Sequence, residues 1–276
     1  MIITEALLNE KLKKLPRDCH KGDNGFLNVV AGSEKYRGAA DLCVGAALRT
    51  GTGIVRLISN ECVILSVAKR HPTCTFLPTE NASQEITEIG SGYYLIGCGL
   101  GTSVKSARAV SAVFDVSGKA VLDADALNII SQHPKLKEAL CGNIITPHIG
   151  EFSRLTGLDC VEIKENREKY ALEFAKAYGC TVVLKDYITV IATPSGNAYI
   201  SDKASEGLSK GGSGDVLAGL VAGFFAQGYS AEDAAVIGVA VHAFASIMCA
   251  AEMGVRSMLP SDLEIYVARL FANLGF

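Results

Sequence analysis

The stretch that decides the fold is FLNVVAGSEKYRGAADLCVGAALRTG, residues 26–51. Its first five residues form a short apolar run, which predicts a β-strand buried on both faces. Ala31-Gly32-Ser33 ends this run, and GAADLCVGAALRTG then carries apolar residues at helical spacing. That helix is expected to close near Gly51, because a glycine commonly ends a helix. The stretch therefore predicts a strand followed by a helix, the unit from which parallel sheets are built.

The same unit recurs along the chain. Further short apolar runs predict buried strands at residues 55–59, 93–96, 120–123, 144–146 and 182–185. Helical patterns lie between them, around residues 62–69, 103–113 and 164–178. Strands that alternate with helices at this spacing indicate an α/β fold, in which helices cover both faces of a mostly parallel sheet.

The pattern changes after residue 187. Residues 187–192 and 197–201 predict a hairpin, and a glycine-rich loop and two long apolar helices follow at about 215–227 and 231–252. The sequence contains no linker, low-complexity tract or repeat, so we expect residues 1–276 to form a single domain. We expect no helix that spans a membrane, and the amphipathic first segment lacks the pattern of a signal peptide.

The composition excludes several classes of protein. Hydrophobic residues make up 49% and charged residues 20% of the 276 residues, which is too apolar for a disordered chain. The net charge of −3 gives no excess of cations to neutralise a phosphate backbone, so we expect no nucleic-acid partner. None of the nine cysteines is spaced as C-x-x-C, which argues against zinc and thioredoxin-like sites. Cysteines scattered through apolar runs favour small core residues in a reducing cytoplasm.

The segment that carries the chemistry is GLSKGGSGDVLAG, residues 207–219. Its small residues lead into a helix that we expect to begin at Asp215. At such a helix start, the free backbone N–H groups of Gly212, Ser213 and Gly214 predict a site for an anion such as phosphate. Asp215 is either a helix cap or a base that accepts a hydroxyl proton beside a transferring phosphoryl group. The segment is not a Walker loop, since GxxxxGK followed by Ser or Thr is absent there.

Four ordered motifs give the chain a resemblance to a known family, from about Lys21 to the last helices. They are KGDNG…GS…YRGAA (21–40), LDADALN (122–128), TPHIGEFSRLTG (146–157) and GLSKGGSGDVLAG (207–219). These motifs resemble those of the ADP/ATP-dependent NAD(P)H-hydrate dehydratases of the ribokinase-like superfamily. The resemblance implies a three-layer α/β sandwich with a mostly parallel central sheet. We also expect a stand-alone dehydratase, since the chain starts too late to hold the epimerase domain that some members carry.

The resemblance implies a repair reaction on NADHX or NADPHX, hydrated forms of the reduced nicotinamide cofactors. ADP or ATP would phosphorylate the hydroxyl group of the S form, and phosphate would then leave to regenerate NADH or NADPH. Asp215 would accept the hydroxyl proton, and residues 212–214 would stabilise charge on the phosphoryl oxygens. Mg²⁺ would arrive with the nucleotide and keep several waters, with no residue assigned as its ligand. The resemblance also implies a homo-oligomer, with a homotetramer expected.

The resemblance also assigns binding residues. The positions that match the family's substrate contacts are Ala40, Gly101, His148 and Asp215. The positions that match its adenine-nucleotide contacts are Gly214 and the run Lys185, Asp186, Tyr187, Ile188 and Thr189. Lys185 either holds phosphate as a point charge or is an ordinary solvated surface lysine. Asp186 replaces a glycine that is frequent in the family, and a second carboxylate near phosphates is unfavourable.

Other polar residues keep two interpretations each. His148 follows an apolar strand and is either structural or a ligand contact, since ligands collect at the carboxyl ends of parallel strands. Glu151 either caps the following helix or orients water or Mg²⁺. Asp123 and Asp125 form a carboxylate pair at a strand end, where they support the site or hold a metal, and Asp125 is also a candidate helix cap. Ala204-Ser205-Glu206 stands where Gly-Asn-Thr is frequent in the family, which is expected to change the rim of the pocket.

Two other functions stay open from the sequence. A small-molecule kinase of the same superfamily would also use Asp215 and residues 212–214, but it would leave the phosphate on a sugar or a vitamin-precursor alcohol. A nucleotide sensor would bind without turnover, and the presence of Asp215 argues against it.

Overall fold

The computed structural model describes residues 1–116 and 118–276, and within them nine strands form a single sheet. The strands are β1 (Phe26–Val30), β2 (Ile54–Ser59), β3 (Thr75–Pro78), β4 (Tyr93–Ile96), β5 (Lys119–Leu122), β6 (Ile144–Ile145), β7 (Thr181–Leu184), β8 (Thr189–Ala192) and β9 (Ala198–Ser201).

Helices alternate with these strands and cover both faces of the sheet. They are α1 (Glu5–Lys11), α2 (Arg37–Arg49), α3 (Glu61–Ala68), α4 (Ala82–Ile89), α5 (Val104–Asp115), α6 (Asp125–Gln132), α7 (Ile149–Thr156), α8 (Cys160–Glu165), α9 (Arg167–Tyr178), α10 (Ser213–Ala226), α11 (Ala231–Met253) and α12 (Leu263–Leu274).

The strand order is β3-β2-β1-β4-β5-β6-β7-β8-β9. Strands β1 to β7 pair in parallel, while β8 and β9 form the predicted antiparallel hairpin at one edge. Leu27 of β1 lies between Val55 of β2 and Tyr93 of β4, so the direction of strand addition reverses at β1. The crevice beside such a reversal, at the carboxyl ends of the strands, is where open α/β sheets commonly bind ligands.

The sheet separates two apolar cores. Leu95 of β4 belongs to the core shared with α2, α10, α11 and α12, whereas the next residue, Ile96, belongs to the core shared with α5, α6, α7 and α9. This alternation follows from the pleat, which points successive side chains to opposite faces. The α/β fold with helices on both faces of a mostly parallel sheet is therefore confirmed.

Several element boundaries differ from the sequence prediction. Helix α10 begins at Ser213, two positions before the expected Asp215, and the helix predicted over 164–178 is two helices that meet at Asn166. Strand β8 begins at Thr189, because residues 185–188 form the turn that follows β7. Strand β3 and helices α4 and α12 were not predicted, whereas α6 and α7 lie at the residues that were interpreted as candidate helix caps.

Helix α11 is the element that bears on the expectation that no helix spans a membrane. Within the described ranges it alone has the length and composition of a helix that could cross a membrane. However, 72% of its most apolar stretch is buried inside the fold, and the helix packs against α10 and α12. The apolar surface of α11 is thus covered mainly by its own subunit.

Candidate active site

Four polar side chains follow four neighbouring parallel strands at the carboxyl edge of the sheet. Cys98 comes shortly after β4, Asp123 directly after β5, Thr146 directly after β6 and Lys185 directly after β7. Because these strands are adjacent in the sheet, side chains at their ends come together. The sequence identified Asp123 and Lys185 as candidates, whereas Cys98 was expected to be only a small core residue.

Lys185 and Asp123 form a buried ion pair. The Lys185 Nζ lies 2.6 Å from Asp123 Oδ1, and their side chains are 16% and 2% exposed. Burial alone lowers the pKa of the Lys185 ammonium, but the carboxylates of Asp123 and Glu151 outweigh it and raise the pKa. The interpretation of Lys185 as a solvated surface lysine is therefore wrong, and a fixed cation lies inside the site.

The first turn of α10 lies directly beside this cation. Gly212 is the N-cap at φ +104°, a conformation that side chains other than glycine rarely adopt. No side chain caps the helix, so the interpretation of Asp215 as a cap is wrong. Lys185 Nζ lies 3.4 Å from the position that a Cβ on Gly214 would occupy. A helix N-terminus and an ammonium thus face the same space, which favours an anion there.

The three backbone N–H groups predicted to bind an anion differ in whether they already donate a hydrogen bond. The Ser213 N–H donates to the Lys210 carbonyl at 3.3 Å, because the loop makes a turn just before the helix. The N–H groups of Gly212 and Gly214 have no hydrogen-bond acceptor among the described residues. Gly212 and Gly214 therefore keep free donors for a phosphate, and the prediction of a free amide at Ser213 is corrected.

Asp215 lies on the other side of the same cluster. One ligand atom from each of Cys98, Asp123 and Asp215 lies within 4.8 Å of the other two. Burial raises the pKa of Asp215 to about 6, and the negative charge of Asp123 adds to this rise, while the Cys98 thiol and Lys185 lower it. A carboxylate with this pKa is ionised at neutral pH and is a stronger base than an exposed aspartate.

His148 and Glu151 cap α7 together. The His148 N–H donates to Glu151 Oε2 at 2.8 Å, and His148 Nδ1 accepts from the Gly150 N–H at 3.0 Å. This reciprocal arrangement is a capping box, so the capping interpretation of Glu151 is confirmed. Burial raises the pKa of Glu151 to about 7, despite the opposing charge of Lys185. Burial also lowers the pKa of His148, helped by Lys185, so the imidazole is neutral at pH 7.

The predicted nucleotide segment leads away from this cluster into β8. Asp186 forms an ion pair with Arg167, whose Nη2 is 3.0 Å from Asp186 Oδ2, and the Arg167 guanidinium lies 5.0 Å from the Tyr187 ring centre. The carboxylate of Asp186, expected to be unfavourable near phosphates, thus has a cation of its own. Tyr187 is exposed, whereas Ile188 and Thr189 are half-buried.

Two of the predicted substrate residues, Gly101 and Ala40, lie in the loop after β4 and in the first turn of α2. The Gly101 N–H donates to Asp125 Oδ2 at 2.7 Å, while Ala124 is the N-cap of α6. The capping interpretation of Asp125 is therefore wrong, since its carboxylate holds the Gly101 loop instead. Ala40 is fully buried within α2, so its side chain presents no surface in this conformation. Ser205, in the segment that departs from the family, is buried beside Ser246 and Gly207.

Sequence analysis missed one polar residue near the site. His242 of α11 is buried, and its Nε2 has no hydrogen-bond partner among the described residues, nor has the Oγ of Ser213. Burial lowers the pKa of His242 to about 4, against a hydrogen bond to the Ser213 backbone, so the ring is neutral. Nothing in the sequence marked His242, because it lies within a long apolar helix.

Comparison with known proteins gives one consistent result. The family model described as NAD(P)H-hydrate dehydratase matches residues 27–269. The ADP-dependent (S)-NAD(P)H-hydrate dehydratase of Neisseria meningitidis is 31% identical over 99% of this chain and 93% of its own length. Other curated relatives are bifunctional NAD(P)H-hydrate repair enzymes, and the chain spans about half of their length.

Solved structures agree. The ADP/ATP-dependent NAD(P)H-hydrate dehydratase from Bacillus subtilis, co-crystallised with ATP/Mg²⁺, superposes with a TM-score of 0.86 at 26% identity, covering 98% of this chain and 97% of that one. A ribokinase-like superfamily protein from Enterococcus faecalis has a TM-score of 0.85 at 21% identity, covering 99% and 95% of the two chains, and shows the fold. The matches favour a dehydratase over the small-molecule kinase that the sequence left open.

Proposed function

The chain belongs to the NAD(P)H-hydrate dehydratase family, and on this premise we propose that it dehydrates the S form of NADHX or NADPHX at the expense of ADP or ATP. The observation that carries the proposal is the juxtaposition of three groups at one edge of the sheet. The free amide of Gly214 and the Lys185 ammonium face one space that favours an anion, and the Asp215 carboxylate lies beside them.

The proposed reaction begins with phosphoryl transfer. The terminal phosphoryl group of the nucleotide is bound at the first turn of α10, where the amides of Gly212 and Gly214 and the charge of Lys185 stabilise its oxygens. Asp215 accepts the proton of the substrate hydroxyl as the new P–O bond forms and the bond to the departing nucleotide breaks.

Elimination completes the reaction. Phosphate is a better leaving group than hydroxide, so the carbon–oxygen bond of the phosphorylated substrate breaks with both electrons going to phosphate. The lone pair of the ring nitrogen supplies electrons to the carbon, and a neighbouring C–H then gives its proton to the released phosphate, which restores the dihydronicotinamide ring. The name of the Neisseria meningitidis relative supports the S form as substrate and ADP as donor.

The proposed binding residues are those of the sequence analysis. Ala40, Gly101 and His148 contact the hydrated nicotinamide part, and the turn at residues 185–189 contacts the nucleotide together with Gly214. Three features support this assignment: Asp125 holds the amide of Gly101, His148 lies next to Lys185 in the sheet, and Arg167 neutralises Asp186. The full burial of Ala40 requires contact through its backbone or a shift of the loop before α2.

We propose that Mg²⁺ binds with the nucleotide. The oxygen donors near the first turn of α10 are the carboxylates of Asp215 and Asp123, and Mg²⁺ prefers one or two carboxylates plus phosphate oxygens and water. Asp123 is already engaged by Lys185 and Asp215 is assigned as the base, so phosphate oxygens and water are left to hold the ion and no protein ligand is assigned to it. The ion would neutralise charge on the phosphates. Co-crystallisation of the Bacillus subtilis protein with ATP/Mg²⁺ supports this cofactor.

We also propose that the protein is a cytoplasmic homo-oligomer, with a tetramer expected. Its exposed large apolar side chains include five in the last two turns of α11, the following loop and the start of α12, namely Ile247, Met253, Val255, Leu259 and Ile265. A group of this kind is a candidate subunit interface. Sedimentation equilibrium tests this proposal, and a single monomeric species at micromolar concentration would contradict it.

The test of function is recovery of reduced nicotinamide absorbance when the protein is mixed with S-NADHX, Mg²⁺ and either ADP or ATP. We expect recovery with at least one donor, together with release of one phosphate per NADH. A kinase would instead accumulate phosphorylated substrate without recovery. Absence of recovery with both donors would overturn the dehydratase proposal.

Asp215→Asn tests the assigned base. We expect kcat to fall by about 10²-fold or more, because an amide cannot accept the hydroxyl proton, while ADP affinity measured by calorimetry changes only a few-fold. Asp202→Asn is a matched control, since Asp202 is an exposed aspartate in the loop after β9. Normal turnover by the Asp215 variant would show that another group is the base.

A further inference from the structure

We propose that Asp123 is a positioning residue for this reaction: it holds the Lys185 ammonium at the first turn of α10 and keeps that cation away from the base Asp215. The inference rests on the proposed function and deepens it, since it assigns a role to a carboxylate that is expected to touch neither substrate nor nucleotide. It is carried by the geometry of the cluster at the ends of β4 to β7.

The Asp123 carboxylate is fully engaged by donors from three strand ends. Its Oδ1 accepts from Lys185 Nζ at 2.6 Å and from Thr146 Oγ1 at 2.8 Å, and its Oδ2 accepts from the Cys98 thiol at 3.8 Å. The Asp123 side chain is 2% exposed. A buried carboxylate is tolerated when its oxygens are paired in this way, so its orientation is fixed by the sheet and not by a mobile loop.

Lys185 needs such a partner because its side chain is long and its charge is not directional. Two other carboxylates lie near enough to affect its ionisation or be affected by it, Glu151 and Asp215. If Lys185 paired with Asp215, the base would be neutralised and the phosphate would lose its cation. The short contact with Asp123 holds Lys185 close to Gly214 and leaves the oxygens of Asp215 free for a proton.

The same geometry places Asp123 and Cys98 against Asp215 with opposite effects. The charge of Asp123 raises the pKa of Asp215, because two neighbouring carboxylates repel one another. The neighbouring Cys98 thiol, whose hydrogen bond in this structure goes to Asp123, acts in the opposite direction and lowers the pKa of Asp215. Its contact with Cys43 raises the pKa of the Cys98 thiol itself, and burial adds to this rise, so the thiol keeps its proton and acts as a donor.

The experiment compares the pH dependence of kcat for the wild type, Asp123→Asn and Cys98→Ala. Activity falls as the pH drops through the pKa of the base, which defines an acidic limb. In Asp123→Asn we expect Lys185 to turn to Asp215. The acidic limb should then move down by about 0.5–1 pH unit, and the plateau value of kcat should fall about tenfold or more. In Cys98→Ala we expect the limb to move up. Opposite shifts would not arise from loss of packing alone.

Thr146→Val is the matched control, because it removes one hydrogen bond to Asp123 without changing any charge. Its plateau is expected to fall while its limb stays at the wild-type pH. Calorimetry with ADP and Mg²⁺ checks that each variant keeps a folded nucleotide site. An Asp123→Asn limb at the wild-type pH, with an unchanged plateau, would overturn the inference. Should Asp123→Asn fail to fold, an unchanged plateau in Thr146→Val would overturn it instead.

A failure of the proposed function has a different signature. In that case the wild type would not regenerate NADH, and the titration of the Asp215 carboxyl carbon, followed by ¹³C NMR without substrate, would replace the rate profile. The expected result is a lower pKa for Asp215 in Asp123→Asn and a higher one in Cys98→Ala. Equal pKa values in all three proteins would overturn the positioning role, whatever the reaction.

Discussion

At the residue scale, the buried carboxyl group of Glu151 both caps a helix and makes the stability of the fold depend on pH. Its carboxylate accepts a hydrogen bond from the His148 N–H and so caps α7. Burial is the largest influence on it and raises its pKa from 4.5 to about 7. The pKa of Glu151 is higher in the folded chain than in the unfolded chain. Glu151 therefore contributes fully to the stability of the fold below about pH 4.5, and this contribution is lost as the pH rises through about 7.

Glu151→Gln should therefore remove the loss of stability that accompanies ionisation of Glu151 as the pH rises. It should also keep the cap, since the amide oxygen can still accept a hydrogen bond from the His148 N–H. We expect the stability of the variant relative to wild type to increase by about 2 kcal/mol between pH 5 and pH 8. Urea denaturation at the two pH values measures this change. Glu168→Gln, at an exposed position on α9, is the control and should show no such trend. An equal difference between Glu151→Gln and wild type at both pH values would contradict the prediction.

Individual site residues were predictable from sequence to different degrees. Asp215 was accessible because it follows a run of small residues that marks the start of a helix, and Lys185 because it ends an apolar strand. The pKa values of these two residues could not be predicted from the sequence, because they depend on burial and on the charge of Asp123. The roles of Cys98 and Arg167 could not be predicted either. A thiol in an apolar run and an arginine at a helix start do not indicate which carboxylate they contact, here Asp123 and Asp186.

At the scale of elements, the approach of α10 to α2 is what positions the first turn of α10. The two helices cross so closely that a Cβ on Gly219 would lie 2.3 Å from the Cys43 carbonyl oxygen and 2.9 Å from Ala46 Cβ. A glycine is needed here for close contact between backbones, since its own φ is not in the left-handed region.

Gly219→Ala is expected to destabilise the fold by about 2 kcal/mol, because the added methyl group forces α10 away from α2. It should also raise the KM for ADP, since the first turn of α10 moves with the helix. Gly38→Ala in α2 is the control: no atom lies within 4 Å of its added Cβ, and alanine favours a helix. The urea concentrations at the unfolding midpoints of the two variants test this prediction. A Gly219→Ala variant as stable as Gly38→Ala would contradict the close packing of α10 against α2.

Elements were predictable where their pattern was long or fully apolar. Strand β1 and helices α2 and α11 agree with the sequence to within one residue at most of their ends. Strand β3 was missed because it lies at the edge of the sheet, is only partly buried and ends in Pro78. The break at Asn166 was missed because residues on both sides of it have helical spacing. Local pattern cannot show such a break, because packing decides it.

At the scale of the whole molecule, strand order is what brings the site together. The alternation of strands and helices predicts a parallel sheet with its ligand edge at the carboxyl ends. It does not give the order of the strands, and only that order makes Asp123 and Lys185 neighbours of Cys98. The resemblance to the family supplied the fold that local pattern left undetermined, and the overall superposition agrees with it.

The continuity of the sheet also predicts how the molecule unfolds. The N-terminal segment adds to the far edge, where the Ile3 N–H donates to Ile200 of β9 at 2.9 Å, and both cores extend across several strands. We therefore propose that residues 1–276 behave as one domain and unfold in one cooperative transition. Calorimetry should give equal calorimetric and van't Hoff enthalpies per cooperative unit, with a value near 190 kcal/mol per chain at about 60 °C.

ADP with Mg²⁺ should shift that transition as a whole, because the nucleotide binds only the folded chain. At 100 times its dissociation constant it adds about 2.7 kcal/mol, which raises Tm by roughly 5 °C or more for a chain of this size. Asp215→Asn should show nearly the same shift, since its amides and Lys185 remain in place. Two separate transitions, or a shift confined to one of them, would show that the sheet is divided into independently folding parts.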